Sequence, residues 1–380
     1  MSFTEYDMVF EGGGAKGSVF AGALKEFFAS GLKPRRLVGT SAGAITATFL
    51  AAGYTPEEML AAVNERGEDG RPRFASFMDR PRIGDFTPEQ LTNSVTFTVF
   101  RAVHFPFLPN WEWFDRKILN ALLHAPHYCQ LFSFVECGGL FAGTAFVNWL
   151  EEKLEAKKIP KDITLGEFAS VAKHDLSLVA SDTTGAEMLV LNSRTAPDCP
   201  LKWAVRMSMS IPFVWREVVW QKEWGKYRGQ DIEGHVIVDG GALSNFPIRL
   251  IAVEPEDDPF VREVMGEKTV AARAGNLGLL IDEFKEVEGQ PAKNSGRKFE
   301  LHTVKRVSHL VDTLTQARDN EMIRECEQRN EVCRLPAMGY GTTEFDMEQA
   351  RLDALVEAGR RAMAAHLARM NGGGPATVVV

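Results

Sequence analysis

The first 53 residues constrain the fold more than any other stretch. Asp7-Met8-Val9-Phe10 is a short apolar run that breaks into Gly12-Gly13-Gly14, and residues 18–30 then space Val19, Ala23, Leu24, Phe27 and Phe28 as one helical face requires. Gly31 and Pro34 stop that helix, residues 36–39 read as a second short strand, and residues 42–52 form a small-residue helix closed by Gly53. Two apolar strands, each followed by a glycine turn and then a helix, form the opening of a parallel sheet with right-handed crossovers. The expected fold class is α/β: a mostly parallel central sheet flanked by helices.

The pattern changes at about residue 55. From there to residue 150 the chain is helical in places, broken by Pro81, Pro88, Pro106, Pro109 and Pro126, and crowded with aromatics that include Phe97, Phe100, Phe105, Phe107, Trp111, Trp113, Phe114, Phe132, Phe134, Phe141, Phe146 and Trp149. No flexible linker bounds the segment, so it reads as an aromatic-rich helical insertion or cap on one domain spanning residues 1–370. Its aromatics have two readings: a second hydrophobic core, or the lining of a groove for an acyl chain and a lipid surface.

Alternation returns at residues 176–181 and 187–191, a hairpin turned by Asp182-Thr183-Thr184-Gly185. A short helix at 203–210 leads into Ile211-Pro212, and residues 213–220 and 235–238 are strand-like. A buried strand at 277–281, a polar helix at 304–329, a strand at 332–335 and an amphipathic helix at 347–370 follow. Residues 371–380 read as a flexible tail.

Charge narrows the function classes. A formal net charge of -8 lacks the basic footprint of a nucleic-acid binder. Cys129, Cys137, Cys199, Cys326 and Cys333 are odd in number, form no CxxC pair and read as free thiols of a reducing compartment. With no leader-like start and no apolar run of membrane-spanning length, the expected location is cytoplasmic, with peripheral contact to a membrane or micelle. No metal-ligand spacing such as H-E-x-x-H is present, so neither metal nor cofactor is expected. Oligomeric state is not written in the sequence.

Three motifs carry chemistry. Gly39-Thr40-Ser41-Ala42-Gly43 places a serine on a strand-to-helix turn, where its hydroxyl leaves the sheet and a helix N-terminus favours developing negative charge. Alone, such a pentapeptide arises by chance in roughly one chain in ten, so its strand–turn–helix context decides. Gly12-Gly13-Gly14-Ala15-Lys16-Gly17 exposes backbone N–H groups able to hold an oxyanion at the same sheet edge, with Lys16 adding charge. This loop also fits the dinucleotide fingerprint G-x-G-x-x-G. That rival lacks the acidic residue expected at the end of the second strand, although Arg35 and Arg36 could suit a 2′-phosphate. The third motif, Asp239-Gly240-Gly241, ends an apolar strand, where open α/β sheets place functional side chains.

In this order the motifs resemble the patatin-like phospholipase family. Further similarities are Met207-Ser208-Met209-Ser210-Ile211-Pro212, Asn245-Phe246-Pro247-Ile248 and Gly341-Thr342-Thr343-Glu344-Phe345-Asp346. Lys16 stands where many family members carry arginine. The resemblance implies a three-layer patatin-like fold and a Ser41–Asp239 dyad without histidine, with Gly12, Gly13 and Gly14 as oxyanion hole. Gly17, Gly39, Gly43, Gly240 and Gly241 then support the motifs. The implied activity is metal-independent hydrolysis of phospholipid or related lipid esters through an acyl-enzyme. Alternatives are a general carboxylesterase or lipase on neutral or small esters, and a lipid-binding protein without turnover. A conventional triad would need His302, His309 or His366, the histidines after Asp239.

Overall fold

A computed structural model of the chain describes residues 3–102, 111–267, 274–289 and 319–372. Five strands form the parallel body of the sheet: β1 (Glu5–Phe10), β2 (Lys33–Thr40), β4 (Asp175–Asp182), β9 (Gly275–Asp282) and β10 (Val332–Pro336). They lie in the order β10-β9-β1-β2-β4, all running the same way. β1 is buried over its last five residues, as an apolar run covered on both faces must be. Its side chains alternate. Met8 and Phe10 join one core with Phe20, Leu24, Leu37 and Leu178, while Val9 joins Val38, Val179, Phe246 and Val261 on the other face. The first face is covered by α1 (Val19–Ala29), α2 (Ala42–Ala51) and the last helix (Gln349–Gly372), the second by short helices after residue 248 and by helical residues 319–328. Helices on both faces of the sheet make three layers.

The antiparallel strands decide where Asp239 sits relative to Ser41. Leu178 and Val179 of β4 pair on one side with β2 and on the other with β5 (Glu187–Leu191). Residues 180–182 pair with β5 and with β8 (Val236–Asp239), so β8 lies on the β2 side of β4, beyond the end of β2. The two strands meet head to head: Thr40 pairs with Val179, and Asp239 with the next residue, Ala180. This corrects the reason the sequence suggests for Asp239. The aspartate does not crown a parallel strand. It ends a short antiparallel strand that enters from the C-terminal edge of the parallel strands and stops against the serine turn.

Other elements depart in detail. Residues 213–220 are two strands: β6 (Phe213–Trp215), paired with β3 (Gly139–Phe141), and β7 (Val218–Val219), paired with β8. Phe213 has φ +68°, and Arg216 and Glu217 break the strand between the two. The last helix continues to Gly372, two residues into the expected tail, and residues 373–380 lie outside the described residues. The start of the polar helix expected at 304–329 also lies outside them.

The aromatics of residues 55–150 divide between the two readings. Phe97 and Phe132 form a small separate core with Phe86, Leu119 and Leu123, whereas Phe146 and Trp149 belong to the main core beside Phe77. Phe105 and Phe107 lie outside the described residues, as do the side chains of Phe100, Trp111, Trp113 and Phe114.

Candidate active site

Ser41 joins β2 to α2 with φ +53° and ψ -119°. A left-handed residue bearing a Cβ costs roughly 1–3 kcal/mol, and such strain persists only where the surroundings over-determine it. Here they do. Ser41 N–H donates to Ser208 Oγ at 3.0 Å, and Ser208 Oγ donates to Val179 O at 2.6 Å. Behind the turn a Cβ on Gly43 would lie 2.2 Å from Phe10 O, so only glycine lets α2 start this close to β1. Gly39 faces Gly43 in the same crowded turn, and Gly17 packs on Ala42.

Asp239 is 4% exposed. Its N–H donates to Ser210 O at 2.9 Å, and Oδ1 accepts the Gly241 N–H at 2.7 Å. Oδ2 has no hydrogen-bond partner among the described residues. Burial pushes the carboxyl up to about 7, with the Gly241 N–H and the nearby Ser41 hydroxyl pulling it back down. The Ser41 hydroxyl is thus close enough to act on the Asp239 carboxyl, although Oδ2 itself carries no regular hydrogen bond among the described residues.

In the glycine loop, Gly12 N–H donates to Asn245 O at 3.0 Å and Ala15 N–H to Thr342 O at 2.9 Å. The N–H groups of Gly13 and Gly14 meet no acceptor among the described residues. Three oxyanion donors were expected, but Gly12 is already engaged, which leaves two. Gly14 has φ +55°, and a Cβ there would sit 2.1 Å from Thr342 O. Lys16 is nearly buried and its ammonium pairs with Glu283. Its charge is thus already matched and anchors the turn after β9. Glu11, just before the glycines, is pushed up to about 8, mainly by burial.

Ser41 and Gly14 open onto a groove of about 750 Å³, part of it open to solvent. Its walls are Ile45 and Phe49 of α2, Phe74, Phe77 and Trp149 of the aromatic segment, Ile211 and Trp215 around β6, and Phe345. Part of the aromatic segment therefore does line a groove beside the serine. Trp149 serves as both core and wall.

The rivals fare differently. Arg35 makes two hydrogen bonds to Asp7, at 2.8 and 2.6 Å, near the start of β2 and at the opposite sheet edge from Ser41. That pairing occupies the guanidinium a 2′-phosphate would need. His366 is buried in the last helix, where burial holds it down to about 4 beside Arg369 and the Asn330 backbone. It does not line the groove. His302 and His309 lie outside the described residues.

Several residues gain roles that the sequence reading left unassigned. Ser208 holds the Ser41 turn. Arg206, fully buried, donates to Ser210 Oγ and to Ala142 O and Arg216 O, both at 3.0 Å, and so supports the carbonyl that fixes Asp239. Thr342 and Phe345 close the loop and the groove. Ser208, Thr342 and Phe345 sit in stretches that carry family similarities and Arg206 just before one, and hydrogen bonds between distant segments leave no local pattern to mark them.

Residues 8–252 match the model described as Patatin-like phospholipase. The chain belongs to the patatin-like phospholipase family. Family membership makes it a lipid ester hydrolase at that level of description. Among its relatives, the uncharacterized protein YqhO of Bacillus subtilis (strain 168) is 31% identical over 361 residues, covering 93% of this chain and 95% of that protein. The uncharacterized protein R571 of Acanthamoeba polyphaga mimivirus is 23% identical over 247 residues, or 64% of this chain and 60% of that one. Among solved structures, VipD from Legionella pneumophila aligns with TM-score 0.46 and 16% identity over 96% of this chain and 67% of VipD. Among the described residues of this patatin-like chain, no helix is long and apolar enough to cross a membrane. No cluster of three or more His, Cys, Asp or Glu side chains able to hold a metal occurs there either.

Proposed function

We propose that the chain hydrolyses the acyl ester of phospholipids or lysophospholipids with Ser41 as nucleophile and Asp239 as general base. The observation that carries this reading is the unpartnered, buried Oδ2 of Asp239 beside the strained Ser41, on a carboxyl raised to about 7. A base titrating near the working pH exists in the right form and still takes a proton with useful driving force.

Ser41 Oγ attacks the ester carbonyl and its proton passes to Asp239. The carbonyl oxygen becomes an oxyanion facing the N–H groups of Gly13 and Gly14. As the carbon–oxygen bond breaks, the leaving alcohol takes the proton from Asp239, and the acyl chain stays on Ser41 as an ester. A water then gives its proton to Asp239 and attacks the acyl carbonyl. Departing Ser41 Oγ recovers the proton and the fatty acid leaves. The dyad assigns no step to a metal. The acyl chain occupies the apolar groove, which favours a lipid over a small polar ester. Cytoplasmic location, contact with a lipid surface and a single catalytic domain over residues 1–370 belong to the same proposal.

Purified protein incubated with phospholipids, lysophospholipids, triacylglycerols and short esters, with products identified by mass, tests this directly. Release of fatty acid from phospholipid or lysophospholipid that disappears in Ser41→Ala supports it. Turnover of short esters alone makes the chain a carboxylesterase. Lipid binding with no covalent labelling by an active-site phosphonate makes it a binder.

A further inference from the structure

Asn245 touches both loops of the site. Its backbone O accepts the Gly12 N–H at 3.0 Å, and its Nδ2 donates to Gly12 O at 3.1 Å, a reciprocal clasp on the residue that opens the glycine loop. Nδ2 also donates to Glu11 Oε1 at 3.1 Å, and Glu11 Oε2 accepts the Ile281 N–H at 2.5 Å, which ties the clasp to β9. The other end of the amide faces the aspartate turn. A Cβ on Gly241 would lie 3.0 Å from Asn245 Oδ1 and 3.0 Å from Asp239 Oδ1, while one on Gly12 would lie 2.2 Å from Asn245 Oδ1 and 3.2 Å from Ser41 Cβ. One planar amide is thus wedged between the backbones of Gly12 and Gly241.

We propose that Asn245 is a positioning residue that couples the glycine loop to the aspartate turn, holding the Gly13 and Gly14 N–H groups and the Asp239 carboxyl in register about Ser41. The proposal rests on the Ser41–Asp239 reading of the site. Asparagine suits the place because Nδ2 can donate to Gly12 O, a carbonyl that carries no hydrogen, as well as to Glu11 Oε1. A carboxylate there would face the Gly12 carbonyl without a donor. Without the amide, neighbouring side chains could not fill the wedge, since both flanking residues are glycines. The loop would then be free to shift, and a misplacement of about 1 Å at a reacting centre costs on the order of 100-fold in rate. The loss falls on the transition state, because the oxyanion donors engage fully only there.

The test uses the full chain with Asn245→Asp, which is isosteric, and Asn245→Ala, which removes the wedge. Both are expected to lower kcat about 100-fold with KM within about threefold. Backbone hydrogen exchange over residues 8–20, measured in a Ser41→Ala background, is expected to speed up at least tenfold when the Asn245 change is added. A kcat within about threefold of the parent for Asn245→Asp overturns the proposal, as does a loss confined to KM or a kcat loss with unchanged exchange. Should Asn245→Ala fail to fold, Asn245→Asp and its melting curve decide alone. If the parent protein cleaves no ester, the dyad reading fails, and the exchange measurement still decides whether Asn245 holds the loop.

Discussion

At Ser41 and Asp239 a few atoms set the outcome. Ser41→Ala removes one oxygen from a turn fixed by backbone contacts. It is expected to lower kcat by roughly 10⁴-fold or more while moving the melting temperature by no more than about 2 °C, read by a lipid assay and calorimetry. Asp239→Asn keeps the shape but cannot take the proton, so a loss of similar size is expected. The raised carboxyl also predicts a pH profile. With Asp239 titrating near 7, kcat/KM should fall on the acid side and be about 100-fold below its plateau two pH units beneath that point. Stability moves the other way. A carboxyl raised from 3.8 to about 7 in the folded state stabilises the fold while protonated. That contribution is fully present below 3.8 and is lost as pH rises through about 7. Melting curves of Asp239→Asn should therefore gain on the parent between pH 5 and pH 8, and an unchanged difference across that range refutes the buried-charge account.

Among the elements, the contact between α1 and the last helix supports the glycine loop from below. The two helices approach so closely that a Cβ on Gly359 would lie 2.2 Å from Val19 O. Gly359→Leu is expected to destabilise the protein by about 3 kcal/mol, since overpacking at a backbone contact forces the helices apart. Chemical denaturation measures it, and a change below about 1 kcal/mol would show that the helices part freely. The elements also show what local pattern can reveal. The strand–turn–helix units around Gly12 and Ser41 were legible because apolar run, glycine and helical spacing lie within one short window. The division of residues 213–220 into two strands was not, because Phe213–Trp215 and Val218–Val219 are separated by the partners they find, β3 and β8. The same limit hid the direction of β8. Its apolar residues read as a strand, but whether a strand runs parallel or antiparallel depends on the neighbour it meets.

The groove is a property of the whole molecule, since its walls come from α2, the aromatic segment, β6 and Phe345. Ile45 lies on it and is only partly buried, so Ile45→Trp fills acyl space without opening the core. Long-chain esters are expected to lose about 100-fold in kcat/KM and butyryl esters no more than about threefold, measured as a chain-length series on the purified variant. Equal losses at every length would place the acyl chain elsewhere. What the sequence by itself determined was the fold class, the family and the two residues proposed for chemistry, because each is written in neighbouring residues or in the order of short motifs. Only the tertiary structure decided that Gly12 is spent on Asn245 while the Gly13 and Gly14 N–H groups meet no acceptor among the described residues, that Lys16 is matched by Glu283, and that Asp239 meets Ser41 because β2 and β8 end against the same strand. Those outcomes depend on hydrogen bonds and strand pairings between residues from 59 to 267 positions apart along the chain, and no local window of sequence contains both partners.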